Sequence, residues 1–186
     1  MKRNVYNYFS LFTILLFVLG IFNILFAWLG FLCMITPFII LVRQKKNKWC
    51  QNYCPRANLF SVLFTKTKTR KTPNWLKKPW VKTFFVYYFV INLFILIWST
   101  FLVSQQFMNA MEAVRFMIAF RIPWQLPQFI HIPNISPWAV HLSFRIYSMM
   151  FSTTVIGLLL GFLYRPRTWC TVCPVMTISN KYLKVK

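Results

Sequence analysis

The chain has 186 residues, of which 58% are hydrophobic and 20% aromatic, and its mean hydropathy is +0.54. This composition lies far outside soluble usage and indicates an integral membrane protein. Glu112 is the only acidic residue beside 22 Lys and Arg, which gives a net charge of +21. Chemistry that needs several carboxylates is therefore excluded, and any activity has to come from Cys, His, aromatic residues or a cofactor.

The first apolar stretch runs from about Tyr8 to Val42. As one helix it would be about 50 Å long, against a hydrocarbon core of about 30 Å. A break between Asn23 and Gly30 gives two short spans instead, with Trp28 at the membrane interface, where amphipathic rings prefer to lie. The positive start followed by an apolar segment is like a signal peptide, but no small-residue cleavage site follows, so we expect a retained first span.

Two further spans are predicted at about Phe84 to Val103 and about Trp138 to Tyr164. Residues 104–137 lie between them, with apolar residues at helical spacing followed by a Pro-broken tract. This pattern predicts an external amphipathic helix lying on the membrane, on which Glu112 and Arg115 could pair, and then a loop. The predicted fold is an all-α integral membrane protein with four transmembrane helices and one interfacial amphipathic helix.

The basic residues indicate the orientation of the spans. Two lie at the start, twelve between Arg43 and Lys82, and five between Arg165 and Lys186. Because Lys and Arg of short loops are retained inside the cell, both termini are expected in the cytoplasm of a multi-pass protein of the cell membrane. Three arginines do not follow this distribution, namely Arg115, Arg121 and Arg145.

Four of the five cysteines occur as two pairs, Cys50 with Cys54 and Cys170 with Cys173. Two spans separate the pairs, so both lie on one membrane face, which the positive-inside rule makes cytoplasmic. The cytoplasm is reducing, and stable disulfides are therefore not expected there. Four thiols at the ends of two spans favour a shared metal ion or cluster.

Each pair has the same neighbours. A Trp precedes the first cysteine and a Pro follows the second; these are Trp49, Pro55, Trp169 and Pro174. Pro lacks an N–H and suits the first turn of a helix, so a new helix is expected after each pair, while the Trp rings could shield the site. The motif order predicts one transmembrane domain over 1–186 built as two pseudo-repeated hairpins, with half one at about 6–60, a basic cytoplasmic linker at 61–82 and half two at about 83–180.

The segments "KWCQNYCPRANLF" and "YRPRTWCTVCPVMTIS" resemble the paired Cys-Pro motifs of the membrane-integral polyferredoxin-type iron–sulfur proteins. This group contains the quinol-linked membrane subunit of periplasmic nitrate reduction and the nitrous-oxide-reductase regulator. The resemblance covers four spans and both motifs. The chain departs from the family pattern in one respect. Family members usually have a Gly soon after Cys-Pro, whereas this chain has Arg56-Ala57 and Val175-Met176 at these positions.

The resemblance implies that Cys50, Cys54, Cys170 and Cys173 ligate one [4Fe-4S] cluster and that the protein carries electrons as a relay subunit of a larger redox complex. Its partners would be other membrane redox subunits. One cluster at the inner face cannot move an electron across about 30 Å of hydrocarbon, so transmembrane transfer requires a quinone or a second redox cofactor, in this chain or in a partner.

Two alternatives stay open at the level of sequence. A structural zinc ion also accepts four thiolates and would make the chain a membrane assembly module. A quinone-linked thiol–disulfide oxidoreductase could use the C-x-x-C spacing of "CTVC". That alternative needs at least one pair on the outer face, whereas the charge distribution favours the inner face for both.

Other residues give weaker indications. His131 and His141 are candidates to hold haem or to contact a quinone near the outer face, and Cys33 is interpreted as a packing residue. The basic linker is expected to attract anionic lipids, and it could also steer an acidic ferredoxin or flavodoxin. Nucleic acid is not an expected partner of a loop held at the bilayer.

Overall fold

The computed structural model describes residues 3–47, 49–64, 71–117, 120–122, 127–129 and 135–185. Most of them are helical. The α-helices are α1 (Arg3–Phe22), α2 (Trp28–Gln44), α3 (Pro55–Leu63), α4 (Pro79–Ser104), α5 (Pro137–Leu163), α6 (Thr168–Val172) and α7 (Pro174–Val185). Two short strands, β1 (Arg115–Phe116) and β2 (Phe120–Arg121), pair antiparallel, and single helical turns occur at Ile24–Ala27, Trp49–Tyr53 and Asn74–Lys77.

Three helical segments are long and apolar enough to cross a membrane, and they are Ile24–Gln44, Pro79–Ser104 and Pro137–Leu163. The last two match in position the spans predicted at about Phe84 to Val103 and about Trp138 to Tyr164. The apolar part of α1, Tyr8–Phe22, is shorter than these segments. A membrane location is therefore supported, while a fourth span at α1 stays a prediction.

The predicted break in the first apolar stretch is confirmed. α1 ends at Phe22, and a 3₁₀ turn at Ile24–Ala27 leads into α2. Asn23 begins this turn because its side-chain oxygen accepts the backbone N–H of Leu25 at 2.9 Å, which is the usual role of Asn at a helix start. The backbone N–H of Ile24, one residue before Leu25, donates to the side-chain oxygen of Gln128 at 2.8 Å.

The chain forms two compact units. One unit comprises Met1–Thr13, Met34–Phe89 and Thr154–Lys186, and the other comprises Ile14–Cys33 and Val90–Thr153. We call the first the thiol unit, because it contains both cysteine pairs, and the second the arginine unit, because it contains Arg115, Arg121 and Arg145. Each of the four longest helices contributes one part to each unit, so both units depend on the same apolar helices.

Each unit has its own apolar core. The core of the thiol unit contains Phe60, Leu76, Val81, Trp169 and Val172. The core of the arginine unit contains Ile24, Ala27, Met111, Val114, Phe144 and Tyr147. Both cores combine residues that are far apart in sequence, so they hold the connecting segments against the long helices.

The structure contradicts the amphipathic helix that was predicted after the third span. In the described part of residues 105–122, the chain is irregular apart from the hairpin β1–β2. Three of its backbone donors bond to side chains of α5: Met111 N–H to His141 Nδ1 at 3.1 Å, Arg115 N–H to Ser148 Oγ at 3.0 Å and Met117 N–H to Ser152 Oγ at 3.0 Å. Glu112 is exposed and forms no ion pair with Arg115, because the helical spacing that would bring them together is absent.

Close packing of α5 against α3 generates a stability prediction. A Cβ at Gly157 would overlap the fully buried ring of Phe60. Helix propensity alone would make Gly→Ala stabilising by about 1 kcal/mol, but we expect Gly157→Ala to destabilise the fold by about 1–3 kcal/mol through overpacking. Thermal unfolding in detergent measures the difference.

Gly30→Ala is the matched control. The atoms nearest to the added methyl group would be side-chain atoms of Ile146 and Met150 at 3.2–3.4 Å, and flexible Met can adjust to it. A Gly157→Ala protein as stable as Gly30→Ala would contradict the described packing of Phe60.

Candidate metal centre

The first cysteine pair lies in a wide helical turn. After α2 ends at Gln44, Lys45 adopts a left-handed conformation with φ of 48° and turns the chain away from the helix axis. The π-helical turn Trp49–Tyr53 follows, and the N–H of Cys54 closes it by donating to the carbonyl oxygen of Trp49 at 2.9 Å. Cys54 itself is extended, and Pro55 begins α3 directly after it.

The second pair lies in a narrower turn of the same kind. α6 carries Cys170, and the N–H of Cys173 donates to the carbonyl oxygen of Trp169 at 2.9 Å. Cys173 is extended as well, and Pro174 begins α7. The helix starts predicted at Pro55 and Pro174 are thereby confirmed.

The two turns accommodate different cysteine spacings. In both, the second cysteine bonds to the carbonyl of the Trp that precedes the first cysteine. The bond spans five residues in C-x3-C and four in C-x2-C, so the additional residue of the first motif is taken up by a π-type turn. Each second cysteine therefore stands just before the N-terminus of a helix whose first residue is Pro.

Polar contacts join the two cysteine turns within the thiol unit. The Asn47 side-chain amide donates to Met176 Sδ at 3.1 Å and to Asn180 Oδ1 at 3.2 Å, which ties the first turn to α7. In the opposite direction, Arg167 Nε donates to Ser61 Oγ at 3.0 Å and ties the second turn to α3. These side chains were not anticipated, because nothing in the local sequence indicates which distant segment they contact.

Two further polar residues support the turns from inside their own segments. Buried Asn58 donates from its side chain to the carbonyl of Asn52 at 3.0 Å, between the first two cysteines. Thr177 Oγ1 donates to the carbonyl of Cys173 at 3.0 Å. Both residues stand four positions after the second cysteine of their pair, and this shared offset is a signal that the sequence does contain.

The four thiols lie within range of one another's charges. Burial and then the neighbouring thiols Cys173, Cys54 and Cys170 raise the pKa of Cys50 well above its ordinary value. Burial likewise raises the pKa of Cys170 to about 12, with Cys54 and Cys173 contributing. Burial raises the pKa of Cys173 too, again with a contribution from Cys54. Each of these three thiols is thus affected by the charge of a cysteine in the other turn, which indicates that the two turns lie near each other.

Positive groups oppose this effect. Arg167 and Arg56 lower the pKa of Cys170, and Arg56 also acts on Cys173. Hydrogen bonds from the backbone N–H groups of Met176 and Val175 lower the pKa of Cys173 further, since the start of α7 presents donors with no partner inside the helix. The surroundings therefore disfavour bare thiolates but contain donors and charges that stabilise a negative centre.

The aromatic and Pro neighbours predicted around the site have distinct positions. Trp169 is buried in the core of the thiol unit, with its ring edge-on to Phe85 at a centroid distance of 5.7 Å. Pro55 and Pro174 are buried, and Trp49 is half-buried. Trp169 is the one that clearly anchors its cysteine turn in the apolar core.

The potential metal ligands at the two turns are thiols. All five cysteines carry free thiols. Among the described residues, no group of three or more His, Cys, Asp or Glu side chains is placed to hold a metal ion. The structure thus brings the two cysteine turns into one unit without arranging their thiols as a metal site.

The remaining candidates lie elsewhere. Cys33 belongs to the arginine unit. His141 is buried, its Nδ1 accepts the N–H of Met111 and its Nε2 is 3.0 Å from Ser99 Oγ. Both ring nitrogens are therefore engaged in protein hydrogen bonds, and neither is open to a haem iron in this arrangement. His131 lies outside the described residues.

Comparisons with known proteins give no match: no family model, no curated protein and no solved structure is significantly similar to the chain. The site therefore has to be interpreted from its own residues.

The raised pKa values generate a prediction for the metal-free protein. Only the thiolate reacts with iodoacetamide, so Cys170, with a pKa of about 12, should be alkylated at least tenfold more slowly at pH 8 than in the same protein unfolded in guanidinium. The rate should rise steadily as the pH approaches 12. Peptide mass spectrometry measures modification at each cysteine, and equal rates in the folded and unfolded protein would contradict the described burial.

Proposed function

We propose that this chain is a membrane-bound electron-transfer protein in which Cys50, Cys54, Cys170 and Cys173 hold one [4Fe-4S] cluster at the cytoplasmic face. The observation that carries the proposal is that two turns, each with two cysteines and each closed on a Trp carbonyl, are joined by hydrogen bonds from Asn47 and Arg167 within one compact unit. Two turns from distant parts of the chain supply two thiols each, and neither turn has enough ligands alone. Four cysteines are the ligand set of a cubane cluster.

The electrostatics around the thiols support a bound anionic centre. Burial raises the pKa values of Cys50, Cys170 and Cys173, so binding iron would displace protons from these thiols and remove the unfavourable burial of bare thiolates. A cubane with four thiolate ligands is itself anionic and gains charge on reduction. Arg56, Arg167 and the N-terminus of α7 would stabilise this charge and raise the reduction potential.

The residues around the thiols support electron transfer more than substrate conversion. Glu112 is the only acidic residue of the chain, and it belongs to the arginine unit. The thiol unit therefore has no carboxylate side chain that could act as a general acid or base. The chain would act as a relay subunit, with other membrane redox subunits as donor or acceptor and with a quinone or second cofactor where electrons cross the membrane.

The proposed topology has four spans, with α1 as the fourth beside the three longer helices. In this topology both cysteine turns, both termini and the basic linker face the cytoplasm, as the distribution of Lys and Arg favours. The two turns closed on a Trp carbonyl support the pseudo-repeat of two hairpins. The basic linker would contact anionic lipids and could attract an acidic ferredoxin or flavodoxin.

The cluster is tested by composition and by cysteine substitution. Anaerobically purified protein should contain about four irons and four acid-labile sulfides per chain, and dithionite should bleach its visible absorbance and produce an EPR signal. Cys170→Ser should lower iron and sulfide by more than half, because it removes one of the four ligands.

Cys33→Ser is the matched control, since Cys33 belongs to the other unit, and it should retain the full cluster. Zinc in place of iron would contradict the electron-transfer function. A cluster unchanged in Cys170→Ser would contradict the shared ligand set.

A further inference from the structure

The three arginines that depart from the distribution of basic residues all belong to one unit. Arg115, Arg121 and Arg145 lie in the arginine unit, whereas the segments from Arg43 to Lys82 and from Arg165 to Lys186 belong to the thiol unit. Sequence separation hides their relation, because Arg145 lies on α5 and the other two on the hairpin β1–β2. The fold brings them together.

The hairpin places two of these arginines directly opposite each other. Arg115 and Arg121 are partners in the antiparallel pair, and like charges in such positions repel. The hydrogen bond from the Arg115 N–H to Ser148 Oγ then holds this end of the hairpin against α5. Arg115 is half-buried and Arg121 is exposed.

Arg145 lies on the face of α5 that accepts hydrogen bonds from the backbone of residues 111–117. His141, Ser148 and Ser152 accept backbone N–H groups from Met111, Arg115 and Met117. Arg145 is four residues after His141 and three before Ser148, so helical spacing puts it on the same face. Arg115 is close enough for its charge to repel that of Arg145.

This cluster of charge lacks a counterion among the described residues. The Nε of Arg145 is buried and has no hydrogen-bond partner. Glu112, the only carboxylate side chain, is exposed and pairs with none of the three arginines. A guanidinium with an unmet buried donor inside an apolar helix is costly, and ionisable groups in such positions commonly mark a binding site.

We propose that Arg115, Arg121 and Arg145 form a binding site for a phosphate-type oxyanion, either the phosphodiester of an anionic lipid headgroup or free phosphate. Arg presents a planar fork of donors that matches phosphate oxygens. A tetrahedral phosphate offers several oxygens, so it can accept from more than one guanidinium at once and neutralise their repulsion. Exposed Phe120 beside Arg121 adds apolar surface on which a lipid chain could lie. The site goes beyond the proposed electron transfer and does not depend on the cluster.

The test measures the unfolding temperature of delipidated protein in neutral detergent. Phosphatidylglycerol, a neutral diacyl glycolipid with the same chains and inorganic phosphate are titrated separately. A ligand that binds the folded state raises the unfolding temperature in a saturable way. We expect such a rise with phosphatidylglycerol or with phosphate: a response to the lipid alone identifies a headgroup site, and a response to both identifies a site open to free phosphate.

Two variants and one control locate the effect. Arg145→Met should weaken the response about tenfold in ligand concentration, and Arg121→Gln, on the exposed strand, should weaken it severalfold even if Arg145→Met does not fold. Arg43→Met changes an exposed arginine of the thiol unit and should leave the response unchanged.

Three results would overturn the proposal. They are a response in Arg121→Gln equal to that of the wild type, a rise with the glycolipid equal to that with phosphatidylglycerol, and no rise with either phosphate compound. Iron content is measured in the same samples, so loss of the cluster and loss of phosphate binding are distinguished.

Discussion

In both cysteine turns, the backbone N–H of the second cysteine donates to the carbonyl of the Trp before the first cysteine, and the thiol site depends on this hydrogen bond. The bond fixes a short loop in which both thiols are carried by one turn. The following Pro starts a helix without leaving an additional backbone donor unpaired. Trp169 then anchors the second turn in the apolar core beside Phe60 and Val172. Local backbone geometry thereby determines where four thiols can meet.

The meeting of the thiols has an energetic consequence. Burial and mutual repulsion hold the pKa values of Cys50, Cys170 and Cys173 high, while Arg56, Arg167 and the N-terminus of α7 act in the opposite direction on Cys170 or Cys173. The proposed cluster would fit this combination, because iron would offset the charge of the thiolates and the positive groups would stabilise the net negative charge of the cluster. The arginine unit presents the complementary situation, since positive groups there lack a negative partner among the described residues. The two units thus differ in the kind of charge that each is suited to accept.

Much of the fold could be predicted from local sequence. Span length limited the first apolar stretch to two helices, and the break falls at Asn23 because its side chain caps the following turn. Pro55 and Pro174 begin helices as their chemistry favours. Counting the spans between the cysteine pairs predicts that both pairs lie on one membrane face, and this prediction requires no knowledge of individual contacts.

The parts that sequence could not predict depend on contacts between distant residues. The segment after the third span has apolar residues at helical spacing, but Ser148 and Ser152 on α5 accept its backbone donors and favour an extended path. Nothing in the sequence near Asn47 and Ser61 indicates that they bond to Asn180 and Arg167. Likewise, the register that places Arg115 opposite Arg121 arises from the hairpin and has no signature in composition.

The convergence of the two cysteine turns can be measured without any metal. A site-specific protease sequence inserted beside exposed Lys71 would separate the chain into one part with Cys50 and Cys54 and another with Cys170 and Cys173. After mild oxidation of the metal-free protein and cleavage, the two parts should stay joined on a denaturing gel until a reductant is added, because the proposed site would allow thiols from the two turns to approach within disulfide distance. The double variant Cys170→Ser, Cys173→Ser should release them without reductant. Release of the parts from the oxidised, otherwise unchanged protein would contradict a shared four-thiol site.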